Sequence, residues 1–381
     1  MNIQRIVLSI SFVCLFTFCA AQCKLQPESQ ISLKTAFENK FLIGVAMNAN
    51  QITGLDSIGD SVIIGNFNSI VAENCMKSEM IQPVEGKFDF SLADQFVKFG
   101  ESHKMFIVGH TLVWHSQVPK WFFTDDKGLE VSREVLIERI HKHISTLVGR
   151  YKGRVKGWDV VNEAINDDGS YRASPFYRII GKDFIKLAFQ FAHEADPDAQ
   201  LYYNDYNMAL GGKREGVIKM VEELKREGIR IDAIGMQSHI GLYSPTVGEF
   251  EKSILAFSSL GVKVMMTELD LSVLPSPWEN TGANVSDRVA YQEKMNPYKN
   301  GVSVEKIAEW EKVYSDYFKL FIKHQDKISR VTLWGLTDAD SWKNDWPIRG
   351  RTDYPLLFDR NHKAKPIVAK IIKMITTPSE M

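Results

Sequence analysis

The chain has 381 residues, of which 44% are hydrophobic and 24% are charged, and its formal net charge at pH 7 is −1. This composition is that of a globular protein with an apolar core. Proteins that bind nucleic acid usually carry an excess of basic residues, so we expect neither nucleic acid nor a membrane surface as an electrostatic partner.

The first residues are typical of a secretory signal peptide. Arg5 precedes the apolar run IVLSISFVCLFTFCAA, which ends in the small residues Ala20 and Ala21. The run is short for a membrane span, which makes an uncleaved anchor the less favoured alternative. We expect a signal peptide at 1–21, an N-terminal segment at 22–34, and a secreted or periplasmic protein.

The four cysteines do not predict a disulfide framework. Cys14 and Cys19 lie in the signal, Cys23 follows it, and Cys75 stands alone in the body of the chain. Cys23 is a candidate lipid acceptor of a bacterial lipoprotein, although Gln22 is not the small residue usually found before such a cysteine. We expect Cys75 to be a small buried residue.

Eight β-like runs alternate with helix-like segments along the chain. The β-like runs lie at 41–48, 69–76, 106–114, 157–164, 199–207, 233–240, 263–270 and 330–338. Apolar residues recur at helical spacing in 132–151, 174–196, 213–228, 304–325 and 365–375. Ser132 is the expected N-cap of the first of these helices.

This alternation predicts an α/β fold, a (β/α)8 TIM barrel that forms a single domain over 35–376. A doubly wound open sheet is the alternative. A nucleotide-binding sheet of that kind would carry a glycine-rich phosphate turn after its first strand, and the sequence has none there.

Most of the predicted strands begin with apolar residues and end with polar ones. These ends are Glu73-Asn74, His110, Asn162-Glu163, Asn204-Asp205, Gln237 with His239, Glu268 with Asp270, and Trp334, with Asn48 as a weaker eighth case. In a barrel of parallel strands, all C-terminal ends face one mouth, where barrel enzymes have their active sites. The sequence therefore predicts a site at this mouth.

Glu163 and Glu268 are the central candidates, because a closed barrel brings the fourth and seventh strands to one rim. Glycoside hydrolysis needs such a pair: one carboxyl protonates the leaving oxygen, and the other attacks the anomeric carbon or activates water. His239 is a candidate to hydrogen-bond Glu268 and keep it ionised, and Asn162 to contact a sugar hydroxyl. Flat apolar faces for sugar rings are offered by Trp114, Trp334 and Trp342.

Each of these residues, taken alone, also has a structural interpretation. A glutamate at a strand end often forms a salt bridge, and a tryptophan often lies in the core. Lys77, taken alone, is interpreted as a surface lysine. Metal catalysis is disfavoured because the spacing of His110 and His115 suits neither a helical HExxH motif nor strand neighbours on one face. The sequence has no G-x-S-x-G motif of a serine hydrolase. We expect no metal and no cofactor.

Seven segments resemble, in order, those of the family 10 glycoside hydrolases, which are mostly endo-β-1,4-xylanases. They are AENCMKSEMIQP (72–83), VGHTLVWHSQVPKW (108–121), WDVVNEAINDDGSYR (158–172), YYNDYN (202–207), IGMQSHI (234–240), MMTELDL (265–271) and LWGLTDADSW (333–342). The resemblance covers about residues 35–375 and implies a TIM barrel that cleaves internal bonds of xylan with retention of configuration.

The resemblance also implies roles for single residues. Glu163 matches the acid/base, Glu268 the nucleophile, His239 the histidine that holds the nucleophile, and Asn162 the residue at the sugar 2-hydroxyl. The positions that match the glycone subsites are Glu73, Asn74, Lys77, His110 and Trp114. Those around the cleavage point are Gln237, Trp334 and Trp342, and Tyr206 matches the leaving-group side.

One segment departs from a minimal member of the family. Residues 272–303 form a long stretch after the nucleophile strand, and we expect it to cover one side of the cleft and to alter aglycone preference. We expect no carbohydrate-binding module.

Two other functions remain as alternatives: another retaining β-1,4-glycanase (cellulase-like or mixed-linkage glucanase) and a non-catalytic xylan-binding protein. The partners expected from the resemblance are xylan and xylooligosaccharides. No protein partner is implied, and we expect a monomer.

Overall fold

A computed structural model describes residues 31–276 and 288–377. The expected signal peptide, with Cys14 and Cys19, lies outside the described residues, as does Cys23. So does the middle of the segment 272–303. Within the described ranges, no helix is both long enough and apolar enough to cross a membrane.

Eight parallel strands close into a barrel. The eight barrel strands are β1 (Leu42–Met47), β2 (Ser69–Ala72), β3 (Phe106–Trp114), β4 (Gly157–Asn162), β5 (Gln200–Asp205), β6 (Ala233–Met236), β8 (Lys263–Ser272) and β9 (Ile328–Leu333). A ninth, short strand, β7 (His239–Gly241), lies between β6 and β8 in the chain. Each barrel strand pairs in parallel with the next, β6 pairs with β8, and β9 pairs back with β1. The predicted TIM barrel is confirmed, and the alternative prediction of a doubly wound open sheet is wrong.

The short strand β7 continues from β6, the sixth strand of the barrel, towards the mouth. Two residues, Gln237 and Ser238, separate it from β6, and it pairs in parallel with the end of β8. Ser238 has a left-handed backbone with φ of 68°. One continuous β-like run was predicted over 233–240, and the break at Gln237 and Ser238 corrects that prediction.

Helices follow the strands and cover the outside of the barrel. They are α1 (Leu33–Ala36), α2 (Ala49–Ile52), α3 (Ser57–Asn66), α4 (Ser78–Ile81), α5 (Ser91–Ser102), α6 (Arg133–Arg150), α7 (Pro175–Ile180), α8 (Asp183–Ala195), α9 (Gly211–Arg226), α10 (Val247–Ser259), α11 (Val304–Lys323) and α12 (Pro366–Thr376). Single 3-10 turns lie at Lys120–Phe122, Glu293–Met295 and Trp342–Asn344.

Helix ends follow from local residues. Ser132 caps α6 by accepting a hydrogen bond from the backbone N–H of Val135, as predicted. The segment 174–196, predicted as one helix, is divided into α7 and α8. Gly181 ends α7 with φ of 81°, a conformation that glycine adopts without a steric penalty.

The strand residues are buried on both faces. One face packs against the helices in a continuous apolar core. The other face forms a second cluster, in which the buried members come from strands alone apart from Trp334: Ala46, Val71, Val108, Tyr202, Ala233 and Met265. Because successive side chains of a strand point to opposite faces, this second cluster fills the inside of the barrel. The polar strand ends stand above it.

Two single-residue predictions have clear outcomes. Cys75 is buried with a free thiol, as expected. Asn48 does not join the site. Its side chain forms a capping box with Gln51 at the start of α2, and its Nδ2 donates to Asp340 Oδ1 at 2.9 Å. The polar end of β1 therefore serves the fold.

Candidate active site

A cavity of about 330 Å³ opens at the C-terminal mouth of the barrel. Its volume lies within the range of small-ligand sites. The residues that the sequence analysis assigned to catalysis or substrate binding all line it: Glu73, Asn74, Lys77, His110, Trp114, Asn162, Glu163, Tyr206, Gln237, His239, Glu268, Trp334 and Trp342. We call this space the reaction cavity.

Glu163 follows the last residue of β4 and has a left-handed backbone, with φ of 58°. A residue other than glycine adopts this conformation only when its surroundings hold it. Two contacts do so here. The Glu163 N–H donates to the Asn204 carbonyl at 2.9 Å, and Arg172 Nε donates to the Glu163 carbonyl at 2.7 Å. The backbone of Glu163 is therefore fixed from both sides.

Both carboxyl oxygens of Glu163 accept hydrogen bonds from neutral donors. Trp114 Nε1 donates to Oε2 at 2.9 Å, and Gln237 Nε2 donates to Oε1 at 2.9 Å. Asn162 Nδ2 lies 3.4 Å from Oε1. The residue is only 7% exposed, so these donors compensate for lost hydration without adding a positive charge.

Glu268 lies in β8 and has a cationic partner. His239 Nε2 is 3.2 Å from Oε2, and Asn204 Nδ2 donates to Oε1 at 2.8 Å. Burial raises the pKa of Glu268, but the hydrogen bond from His239 and the charges of His110 and His239 outweigh burial. The pKa therefore lies below its ordinary value, and Glu268 is ionised at neutral pH.

His239 is held between two carboxylates. Its Nδ1 lies 2.9 Å from Asp270 Oδ2, opposite the contact with Glu268. Burial lowers the pKa of His239, but Asp270 and Glu268 together raise it to about 9. At neutral pH both ring nitrogens therefore carry hydrogen and donate. Trp342 Nε1 and Lys343 Nζ also donate to Asp270, at 2.9 and 2.5 Å.

Asn204, at the end of β5, links the two glutamates. Its Nδ2 is shared between Glu268 Oε1 at 2.8 Å and Asn162 Oδ1 at 3.0 Å, and Asn162 in turn contacts Glu163. Thr267 Oγ1 donates to Asn204 Oδ1 at 2.5 Å, which fixes the amide orientation. Asn204 was predicted as a polar strand end, but the sequence indicated no role for it.

Lys77 is 6% exposed, so its interpretation as a surface lysine was wrong. Its Nζ donates to Asn74 Oδ1 at 2.9 Å and to Gln117 Oε1 at 2.7 Å, and it lies 5.0 Å from the Trp114 ring centre. Burial lowers the pKa of Lys77 and raises the pKa of the neighbouring Glu73. This wall of the cavity therefore offers both donors and acceptors to a sugar.

His110 is fixed by the strand behind it. Its Nδ1 lies 2.9 Å from Asp159 Oδ2, and its ring meets Trp334 edge to face with 5.2 Å between centres. Among the described residues, no group of His, Cys, Asp and Glu side chains is arranged to hold a metal ion.

Tyr206 is positioned on the opposite wall. Arg172 Nη2 donates to its hydroxyl at 2.7 Å, and Lys213 Nζ lies 3.7 Å from its ring centre. Lys213 is completely buried between Asp205, at 2.9 Å, and Asp167, at 3.1 Å. The Tyr206 ring is thus positioned by Arg172, which donates to its hydroxyl, and by Lys213, which is itself ion-paired.

Five further residues line the reaction cavity but were absent from the predicted site: Gln117, Asp167, Asn207, Arg288 and Trp346. The first three lie inside segments that carry the family resemblance, so that resemblance could have identified them. Arg288 belongs to the segment 272–303, of which 272–276 and 288–303 are described. Trp346 lies beyond the last matching segment.

The chain is similar to known proteins over most of its length. The model of glycosyl hydrolase family 10 matches residues 32–374. Endo-1,4-beta-xylanase A of Xylanibacter ruminicola is 54% identical over 347 residues, which is 91% of this chain and 94% of the relative. Endo-1,4-beta-xylanase of Geobacillus stearothermophilus is 42% identical over 90% of this chain and 98% of the relative.

A solved structure shows the same likeness. The structure of a GH10 endoxylanase from a sugarcane soil metagenome is 46% identical, with a TM-score of 0.87. The match covers 90% of this chain and 100% of that one.

Proposed function

The chain belongs to glycosyl hydrolase family 10, and on this premise we propose that it is a retaining endo-1,4-β-xylanase. The reaction is hydrolysis of internal β-1,4-xylosidic bonds of xylan. The observation that carries the mechanism is the contrast between the two glutamates. Glu268 has the cationic His239 as a partner, whereas the carboxyl oxygens of Glu163 accept from neutral groups.

This contrast supports one assignment of roles. A charged donor favours the ionised form of Glu268, which is the form that a nucleophile needs. The neutral donors around Glu163 are compatible with a protonated carboxyl, which is the form that a general acid needs. Glu163 is thus the acid/base, and Glu268 is the nucleophile.

The reaction then has two steps. Glu163 gives its proton to the glycosidic oxygen while Glu268 attacks the anomeric carbon, so that the leaving sugar departs as an alcohol and a glycosyl ester forms on Glu268. Glu163, now ionised, takes a proton from water, and that water displaces Glu268. Two inversions give net retention.

The remaining side chains hold the sugar chain. Glu73, Asn74, Lys77, His110 and Trp114 form the glycone wall. Gln237, Trp334 and Trp342 surround the cleavage point, and Tyr206 stands on the leaving-group side. Asn162 contacts the 2-hydroxyl of the reacting sugar. Xylan and xylooligosaccharides are the partners, and the protein acts as a monomer.

The N-terminal pattern supports export of this enzyme. The protein is secreted or periplasmic after removal of residues 1–21, and lipid attachment through Cys23 is the alternative route. An enzyme whose polymeric substrate lies outside the cell has to be exported.

Product analysis tests the proposal. Purified protein is incubated with xylan, xylohexaose and cellohexaose, and the first products are followed by chromatography and anomeric NMR. We expect short xylooligosaccharides that appear first as the β-anomer. Initial α product, or no cleavage, would contradict the mechanism. Comparable turnover of cellohexaose would favour the glucanase alternative.

A further inference from the structure

A second cavity, of about 580 Å³, adjoins the reaction cavity and shares Asn207, His239, Trp342 and Trp346 with it. Its other walls come from loops that follow β7, β8 and β9. We call it the side cavity. Its volume suits a ligand the size of a monosaccharide. The mechanism proposed above leaves its deeper part without a role.

The charged side chains in the described lining of the side cavity are cationic. Its described lining includes Lys306, Lys343 and Arg351, together with the protonated His239, and no aspartate or glutamate. The carboxylates that pair with two of these cations, Glu309 with Lys306 and Asp270 with Lys343, are not part of the described lining. A pocket lined by charge of one sign concentrates ligands of the opposite sign.

Arg351 is the least compensated of these cations. It is 5% exposed and forms no ion pair with a carboxylate of the described residues. Its Nη1 and Nη2 make long contacts of 3.4 Å with the carbonyls of Pro275 and Trp346, and its Nε has no hydrogen-bond partner among the described residues. Burial lowers the pKa of Arg351, and the charge of Asp353 only opposes this effect. A buried guanidinium without a carboxylate partner would be stabilised by a bound carboxylate, to which it can donate two parallel hydrogen bonds.

We propose that the side cavity binds a carboxylate-bearing branch of the xylan chain, carried by a sugar that lies next to the cleavage point. Arg351 binds the carboxylate. Lys306 contributes at the rim beside Tyr243, which is 74% exposed and accepts a hydrogen bond from Lys306 Nζ at 2.9 Å. The inference rests on the proposed xylanase function and adds a preference for uronic-acid branches.

Matched substrates test this preference. Values of kcat/KM are measured for neutral xylohexaose, for the same chain with one glucuronic acid branch, and for the methyl ester of that branched chain. The ester keeps the shape of the branch and removes its charge. We expect the free acid to be cleaved about tenfold more efficiently than the ester, as suits a charge-assisted bidentate contact.

Matched variants then locate the preference. Arg351→Met should abolish the difference between acid and ester and leave xylohexaose cleavage within about twofold of the native value. Arg349→Met is the control, because Arg349 lies in the same loop, is exposed, and does not line the side cavity. Lys306→Met is a second variant at the rim, which is useful if Arg351→Met fails to fold, and should reduce the preference severalfold.

The outcomes separate the two proposals. If native protein cleaves xylohexaose but treats acid and ester alike, the side cavity has no such role and the xylanase function stands. If the preference exists but survives in both Arg351→Met and Lys306→Met, the binding site lies elsewhere and the inference is overturned. If neither hexaose is cleaved, the proposed function itself fails.

Discussion

The two catalytic candidates occupy nearly equal depth but differ in the charge of their partners. Glu163 is 7% exposed and Glu268 is 5% exposed, so burial does not distinguish the two carboxylates. The difference comes from His239, whose two donors bind Glu268 and Asp270. In the proposed mechanism this imidazolium distinguishes the nucleophile from the acid/base, and each role can be tested by substitution.

Removal of either carboxylate should have a distinct kinetic signature. Glu268→Ala should abolish turnover of all substrates, because no covalent intermediate can form. Glu163→Ala should lower kcat/KM on xylohexaose by about 10²–10⁴. The same variant should lose far less kcat/KM on dinitrophenyl xylobioside, because the leaving group of that substrate departs without protonation. Equal losses on both substrates would contradict the role assigned to Glu163.

Lys213 offers a test of the support behind Tyr206 and Asp205. Lys213→Met leaves the fully buried Asp205 without its cation, a change that typically costs about 3–5 kcal/mol. We expect a lower Tm and a lower kcat, measured by calorimetry and on xylohexaose. Lys219→Met, an exposed position on the same helix α9, is the control and should change neither. A stable Lys213→Met variant with native kcat would show that the ion pair supports neither fold nor site.

At the level of elements, the strands were more predictable than the helices. A barrel strand that is buried on both faces appears in the sequence as a short apolar run. The eight such runs predicted the eight strands of the barrel. Helix boundaries depend on single residues that end a helix, and Gly181 alone divides the segment 174–196 into α7 and α8. Helices α3, α5 and α10 lie in segments for which no helix was predicted, although Thr246 and Glu249 form a capping box at the start of α10.

The capping box of α10 should be measurable as stability without an effect on catalysis. Thr246 Oγ1 accepts from the Glu249 N–H at 3.2 Å, and Glu249 Oε2 accepts from the Thr246 N–H at 3.0 Å. Thr246→Ala should therefore destabilise the fold by about 1 kcal/mol in urea denaturation and leave kcat unchanged. Ser259→Ala, at the exposed end of the same helix, is the control. An equal loss in both variants would mean that the cap contributes nothing specific.

At the level of the whole molecule, the site residues come from strands that are far apart in sequence, and only closure of the barrel joins them. The strand-end pattern was therefore sufficient to predict that Glu163, Glu268 and His239 meet. It could not predict contacts made by loops. Arg288, Trp346 and Arg351 occupy positions that depend on how the loops after β8 and β9 fold, and no periodicity in the sequence encodes that path.

The pH dependence of unfolding should report the same network in the intact protein. The pKa of His239 is about 9 in the folded state against an ordinary value of 6.5, so its contribution to stability is complete below pH 6.5 and is lost as pH rises towards 9. The pKa of Asp270 is about 2 against an ordinary 3.8, so its contribution is present above pH 3.8 and is lost as pH falls towards 2. At about 1.4 kcal/mol per pKa unit, the alkaline loss is on the order of 3 kcal/mol.

Thermal unfolding from pH 6.5 to 9 measures this loss, and one pair of variants assigns it. In the native protein Tm should fall by several degrees across this range. In His239→Gln the fall should be much smaller, because the group that releases its proton on unfolding is gone. His193→Gln, an exposed position on α8, is the control and should follow the native curve. If His239→Gln instead retains the full native decline, the proton released on unfolding belongs to another group, and His239 is neutral in the folded site.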